Sequence, residues 1–225
     1  MIKKIQQNFL NWFKNERKFI FISTVLAVIF TAIVTYTAVY SESVQSGIAK
    51  EVLRFHVLAN SDEQYDQNLK LKVRDEILSK YKNKLIACQN VDETKKFFEK
   101  NIDDVILTAK DVIKREGYTY DVNAFLGKSE FPTKAYGDVV FPAGEYDALR
   151  IEIGNAEGKN WWCVMFPPLC FVDVSSPEIP ENEKQKLKNI LTDEEYGIVA
   201  NPQNSSSFKI KFKIVEIWEE IFGWR

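Results

Sequence analysis

Val52-Leu53-Arg54-Phe55-His56-Val57-Leu58-Ala59-Asn60-Ser61-Asp62 is the stretch on which the reading of this chain turns. Val52–Leu58 is β-branched, aromatic and apolar enough for a strand, and Asn60-Ser61-Asp62 breaks it. Ser61 and Gln64 have the Ser-x-x-Gln spacing of a capping box, so a helix is predicted from about residue 62. Leu69, Val73, Ile77 and Tyr81 recur every fourth residue, with Leu71, Leu78 and Leu85 on an adjoining stripe, and carry that helix to about residue 85. Lys70, Lys72, Arg74, Asp75 and Glu76 form the opposite, solvated face.

Downstream, Asn90-Val91-Asp92 precedes a second helical pattern with Phe98, Ile102, Val105, Ala109, Val112 and Ile113 on its apolar face. Gly117 stands where a helix C-cap glycine belongs. The two helices form an αα-hairpin. From Tyr118 the period changes to two: Tyr118, Tyr120, Val122 and Ala124 alternate with Thr119, Asp121 and Asn123. Another segment runs from Phe131-Pro132 to Tyr136, and Pro142-Ala143-Gly144 is a turn signal. Tyr146–Ile153 and Asn160–Met165 read as strands joined by a polar hairpin loop, Gly154–Lys159. Glu181–Leu191 reads as a short charged helix after two prolines. Phe208–Phe222 is ambiguous: Phe208–Ile214 alternates like a strand, but Phe208, Phe212, Val215, Trp218 and Phe222 also fit a helical face, and helix is the favoured reading. The expected fold class is α+β: a membrane-inserting N-terminal helix, then one domain with a helical pair packed on a mostly antiparallel sheet.

Upstream, Phe19–Tyr40 is 22 residues without an ionisable acid or base. As a helix it spans about 33 Å, close to the hydrocarbon thickness of a bilayer. Lys3, Lys4, Lys14, Arg17 and Lys18 against Glu16 give residues 1–18 a net +4. That asymmetry places residues 1–18 in the cytoplasm and the body outside. Residues 19–40 are a transmembrane anchor or a signal peptide; both give this topology, and the Val39-Tyr40-Ser41 exit does not separate them. Residues 41–50 read as a linker and 51–225 as the extracytoplasmic domain. The whole chain carries −2, so residues 41–225 carry −6. An acidic body argues against nucleic acid, whose affinity for proteins comes from Lys and Arg on phosphate.

The composition restricts the chemistry. There is one histidine, His56, and three cysteines, Cys88, Cys163 and Cys170. That is too few ligands at metal-binding spacing for a zinc site. Gly154-Asn155-Ala156-Glu157-Gly158-Lys159 is one residue short of a phosphate loop and is followed by Asn160, so it reads as a loop only. Cys163 and Cys170 bracket six residues including Pro167-Pro168, close enough for a disulfide in an oxidising compartment; two buried free thiols are the alternative. Cys88 reads as a free thiol. His56 with either Cys163 or Cys170 would be a nucleophile–base pair for a cysteine-dependent hydrolase, but no third orienting group is evident. Arg54, His56, Asn60 and Asp62 form a polar set at a strand exit, either a capped turn or a recognition surface.

Three segments together resemble the stage II sporulation protein R family of endospore-forming Firmicutes: Leu53–Asp62, Leu69-Lys70-Leu71-Lys72-Val73-Arg74-Asp75, and Asn160-Trp161-Trp162-Cys163 through Asp173. Phe131-Pro132-Thr133-Lys134-Ala135-Tyr136-Gly137 and Pro142-Ala143-Gly144-Glu145-Tyr146 fit the same pattern. The likeness covers about residues 51–225. It implies a non-enzymatic signal protein, exported from the forespore into the space between two membranes. There it triggers a membrane-embedded aspartic protease of the mother cell, stage II sporulation protein GA, which processes pro-sigma-E. It implies no catalytic residue, metal, cofactor or small-molecule substrate. The interaction-surface candidates are Arg54, His56, Asn60, Asp62, Trp161 and Trp162.

Overall fold

A computed structural model describes residues 2–171 and 178–200, with side chains from residue 16 onward. The expected helix over Phe208–Phe222 lies outside the described residues, as does Asp173. The chain divides into two compact units, an N-terminal helical one and a body that begins at Val44.

Helix α1 comprises Ile2–Glu51. It is long and apolar enough to cross a membrane, and its most apolar window is wholly exposed. Phe19, Phe21, Leu26 and Phe30 are each more than 60% exposed. The hydroxyls of Thr24, Thr31 and Thr35 donate to the carbonyls of Ile20, Ala27 and Thr31. These threonine hydroxyls are satisfied by the helix's own backbone, an arrangement compatible with a bilayer. The helix continues through residues 41–50, the stretch read above as a linker.

The body is α+β. Its elements are β1 (Leu53–Leu58), α2 (Gln64–Ala87), α3 (Val91–Arg115), β2 (Val122–Phe131), β3 (Lys134–Tyr136), β4 (Val139–Phe141), β5 (Gly144–Ile153), β6 (Asn160–Phe166), α4 (Glu181–Ile190) and α5 (Asp193–Ala200). Four strands form one sheet in the order β2-β5-β1-β6, and β3 and β4 form a separate two-stranded ribbon. β1 pairs parallel with β5, and the pairs β1–β6 and β2–β5 are antiparallel.

One face of the sheet is covered by the helical pair. Leu53, Phe55 and Val57 of β1 meet Leu149, Ile151 and Ile153 of β5 on this side. The apolar stripes Leu69-Val73-Ile77-Tyr81 of α2 and Phe98-Val105-Ala109-Val112 of α3 close over them. Each such side chain contributes about 1.5–3 kcal/mol by leaving water. Leu71, read as part of the α2 stripe, is instead 36% exposed, whereas Lys70, read as part of the solvated face, is buried beside Val73. At the end of α3, Tyr118 N–H donates to Ile113 and Gly117 N–H to Lys114, with Gly117 at φ 84°. This is the Schellman arrangement that the glycine predicted.

Two expectations about connections are corrected. Ser61 does not cap α2; its hydroxyl donates to Asp66 and accepts from Glu63 N–H, and the N-cap position falls on Glu63. A buried carboxylate is a stronger acceptor than the capping geometry offers. Gly154–Lys159 does not close a hairpin, since β5 and β6 are not neighbours; β1 lies between them. All six residues of β1 are buried, and β1, like β5, is paired on both edges. The strand expected from Tyr118 begins at Val122, because Gly117 and the turn after it consume the first alternating residues.

Candidate functional site

Alternation along β1 sends Leu53, Phe55 and Val57 to the helices and Arg54 and His56 to the other face of the sheet. There the β3–β4 ribbon supplies a cover. The Arg54 guanidinium lies 4.4 Å from the ring centre of Phe131, 4.9 Å from Tyr146, 5.5 Å from Phe141 and 5.9 Å from Tyr136. Its side chain is fully buried. Its one hydrogen bond is a long one, from Nη2 to the Tyr136 hydroxyl at 3.4 Å. Nε and Nη1 are buried without an acceptor. Burial lowers the Arg54 pKa, which the neighbouring Tyr136 and Tyr146 partly offset. Ring faces stabilise a desolvated cation by about 2 kcal/mol, whereas taking it out of water costs several.

His56 is also buried, with both ring nitrogens unpaired. It stacks on Trp162, ring centres 5.0 Å apart, and lies 5.2 Å from Phe131. Burial, aided by the charges of Arg150 and Arg54, pushes its pKa down to about 3, so it is neutral at physiological pH. Phe131 contacts Arg54, His56 and Trp162 alike and joins them into one aromatic and cationic cluster. Farther along this face, Arg150 and Glu152 pair beside the half-exposed ring of Phe125.

The other candidates lie elsewhere. Trp161 is on the opposite face, edge-on to Phe55, with the Arg74 guanidinium 4.6 Å above its ring. Asn60 and Asp62 belong to a clamp. The β5–β6 connection must cross the chain where it leaves β1, and Gly154–Lys159 straddles that exit. The Asn60 side chain accepts from Asn155 N–H, and Asp62 accepts from Lys159 N–H at 2.7 Å. Asn60 and Ser61 both donate to Asp66, which is buried. Burial raises the Asp66 pKa, but the hydrogen bonds from Ser61 and Asn60 overcome it and hold the carboxyl below its usual range. Lys70 adds a bond to the Lys159 carbonyl. Asn60 and Asp62 therefore tie the crossing loop to the exit of β1, whereas Arg54 and His56 lie under the ribbon and Trp162.

Sequence reasoning missed Tyr136, Phe141 and Tyr146 as walls around Arg54, and it missed Asp66 and Lys70. Tyr136-Gly137-Asp138-Val139 carries the turn signal of the ribbon, with Gly137 at φ 57°. That turn marks the ribbon but not what the ribbon covers.

Cys163 and Cys170 are joined, with Cα atoms 5.6 Å apart. Cys163 pairs with Phe55 across β1–β6, whereas His56 pairs with Trp162, so Cys163 and His56 face opposite sides of the sheet. The geometry does not assemble the nucleophile–base pair of a hydrolase. Cys88 is a buried free thiol. Among the described residues no group of His, Cys, Asp and Glu could hold a metal. Replacing both Cys163 and Cys170 by Ser is expected to cost about 2–3 kcal/mol through the small closed loop. Urea unfolding of the variant beside the oxidised parent checks this, and equal midpoints would show that the bridge contributes nothing.

Residues 49–176 match the family model described as stage II sporulation protein R. The chain is 34% identical over 198 residues to the stage II sporulation protein R of Bacillus subtilis (strain 168), covering 83% of this chain and 88% of that one. No solved structure matches. A match over more than half the chain, with a relative covered almost end to end, establishes that the chain belongs to the stage II sporulation protein R family.

Proposed function

We propose that this protein is an exported sporulation signal. It is made in the forespore and reaches the intermembrane space. By contact it triggers the membrane-embedded aspartic protease stage II sporulation protein GA to process pro-sigma-E. Family membership carries this reading. The physical layout supports it: a basic N-terminus, an uncharged helix long enough to span a bilayer, and a well-packed acidic body. A contact signal needs a rigid surface and no cofactor. It acts by binding the active state of its receptor more tightly than the inactive one.

The test is complementation. Expressed in a sporulating Bacillus strain that lacks its own signal protein, the chain is expected to restore the processed sigma factor, followed by immunoblot. Export of the chain without any processing would reject the signalling role.

A further inference from the structure

Among the described residues Arg54 is a buried cation with little compensation. It is 0% exposed, and two of its three nitrogens have no acceptor. No carboxylate among the described residues pairs with it; every charged acceptor is replaced by an aromatic ring. A buried guanidinium ordinarily sits in a carboxylate fork, which its planar donor array matches. In the free protein that array faces ring carbon and one distant phenol.

The walls are unequal. Phe131, Phe141 and Tyr146 are buried, at 2%, 0% and 0% exposed. Tyr136 alone among them reaches solvent, and it carries the only acceptor that Arg54 uses. Tyr136 stands on the two-stranded ribbon, three residues to a strand, a unit with little stability of its own. The tip of that ribbon is held by two polar contacts: Asp138 accepts from Ile179 N–H and pairs with Lys184. A swing of the Tyr136 side chain therefore uncovers the guanidinium without disturbing the four-stranded sheet.

We infer that Arg54, gated by Tyr136, is the receptor for an aspartate or glutamate side chain of the partner protein. This deepens the signalling reading and rests on it for the partner's identity. On docking, the incoming carboxylate displaces the Tyr136 hydroxyl. It accepts from the unused Nε and Nη donors in a charge-assisted pair surrounded by rings. The free protein holds an uncompensated charge, and the complex discharges it. That difference favours the bound state over the free one.

Two arms test this on the full chain, the first in detergent micelles and the second in cells. The first uses acetate as the probe. Tyr136→Ala opens the one exposed wall; where it does not fold, Tyr136→Leu opens it less. At pH 7 the opened variant is expected to melt several degrees higher in sodium acetate than in sodium chloride of equal ionic strength. The double variant Arg54→Met, Tyr136→Ala is expected to show no such shift. Equal acetate shifts in both, or none in either, overturn the inference.

The second arm is sigma-factor processing in the complemented strain. Arg54→Met is expected to melt no lower than the parent, since it removes an unpaired buried charge, yet to lower processing at least tenfold. Arg54→Lys is expected to be intermediate. Normal processing by Arg54→Met, or its failure to fold, overturns the inference. Should the native chain restore no processing while the acetate shift holds, the signalling reading falls and the carboxylate site stands.

Discussion

Lowering the pH from 7 to 5 is expected to destabilise the folded protein by about 2 kcal/mol, rising to about 4 kcal/mol near pH 3. The cause is His56, whose pKa in the folded state is about 3 against an ordinary 6.5. The unfolded chain takes up a proton below pH 6.5 and the native state does not. Stability is therefore present above 6.5 and is lost as the pH falls toward 3. Wedged between Trp162 and Phe131, with Arg54 and Arg150 nearby, the imidazolium has neither water nor acceptor. The window between pH 6.5 and 5 belongs to this residue, because the chain has one histidine and the ordinary range of a carboxyl lies lower. Urea midpoints at pH 7, 6 and 5 measure the slope, and His56→Leu is expected to flatten it. A flat profile in the parent would mean that the native imidazole is hydrated.

Gly158→Ala is expected to cost about 3–5 kcal/mol, from the loss of several buried hydrogen bonds at about 1–3 kcal/mol each. A Cβ at this position falls on the carbonyl of Ser61, which is backbone and cannot swing aside. The crossing loop must lift from the exit of β1. That breaks Gly158 N–H to Ala59, Lys159 N–H to Asp62 and Lys70 to the Lys159 carbonyl. Gly197→Ala is the matched control. It lies in α5 with nothing near its Cβ position, and alanine there is expected to stabilise by about 0.5–1 kcal/mol. Thermal unfolding of both variants decides the matter. Similar melting temperatures would show that the clamp gives way at little cost.

The two expectations share one origin, the place of β1 at the centre of the sheet. Burial on both faces removes His56 and Arg54 from water, and pairing on both edges forces the β5–β6 connection to cross over its exit. Neither consequence is visible from the strand's own residues. Val52–Leu58 announces a strand and says nothing of its neighbours.

What local physics governs was legible in the sequence. The apolar helix of the N-terminus follows from 22 uncharged residues, and the α2–α3 pair from apolar side chains at helical spacing. The cap at Gly117 follows from a conformation that only glycine enters freely. The family follows from the segments around Arg54, Arg74 and Trp162. These depend on residues within a turn or two of one another.

Only the tertiary structure decided the rest. Strand order is a contest among long-range pairings, so a polar loop between two strands looked like a hairpin until β1 was found between them. Adjacent tryptophans 161 and 162 looked like one surface, but successive strand residues face opposite ways, and one serves the helical core while the other covers His56. Arg54 read only as one member of a polar set at a strand exit. Its burial arises from four rings supplied by β2, the ribbon and β5, brought together from up to 92 residues away along the chain. A sequence lists its charges, but which of them lacks a partner depends on what folding sets around it.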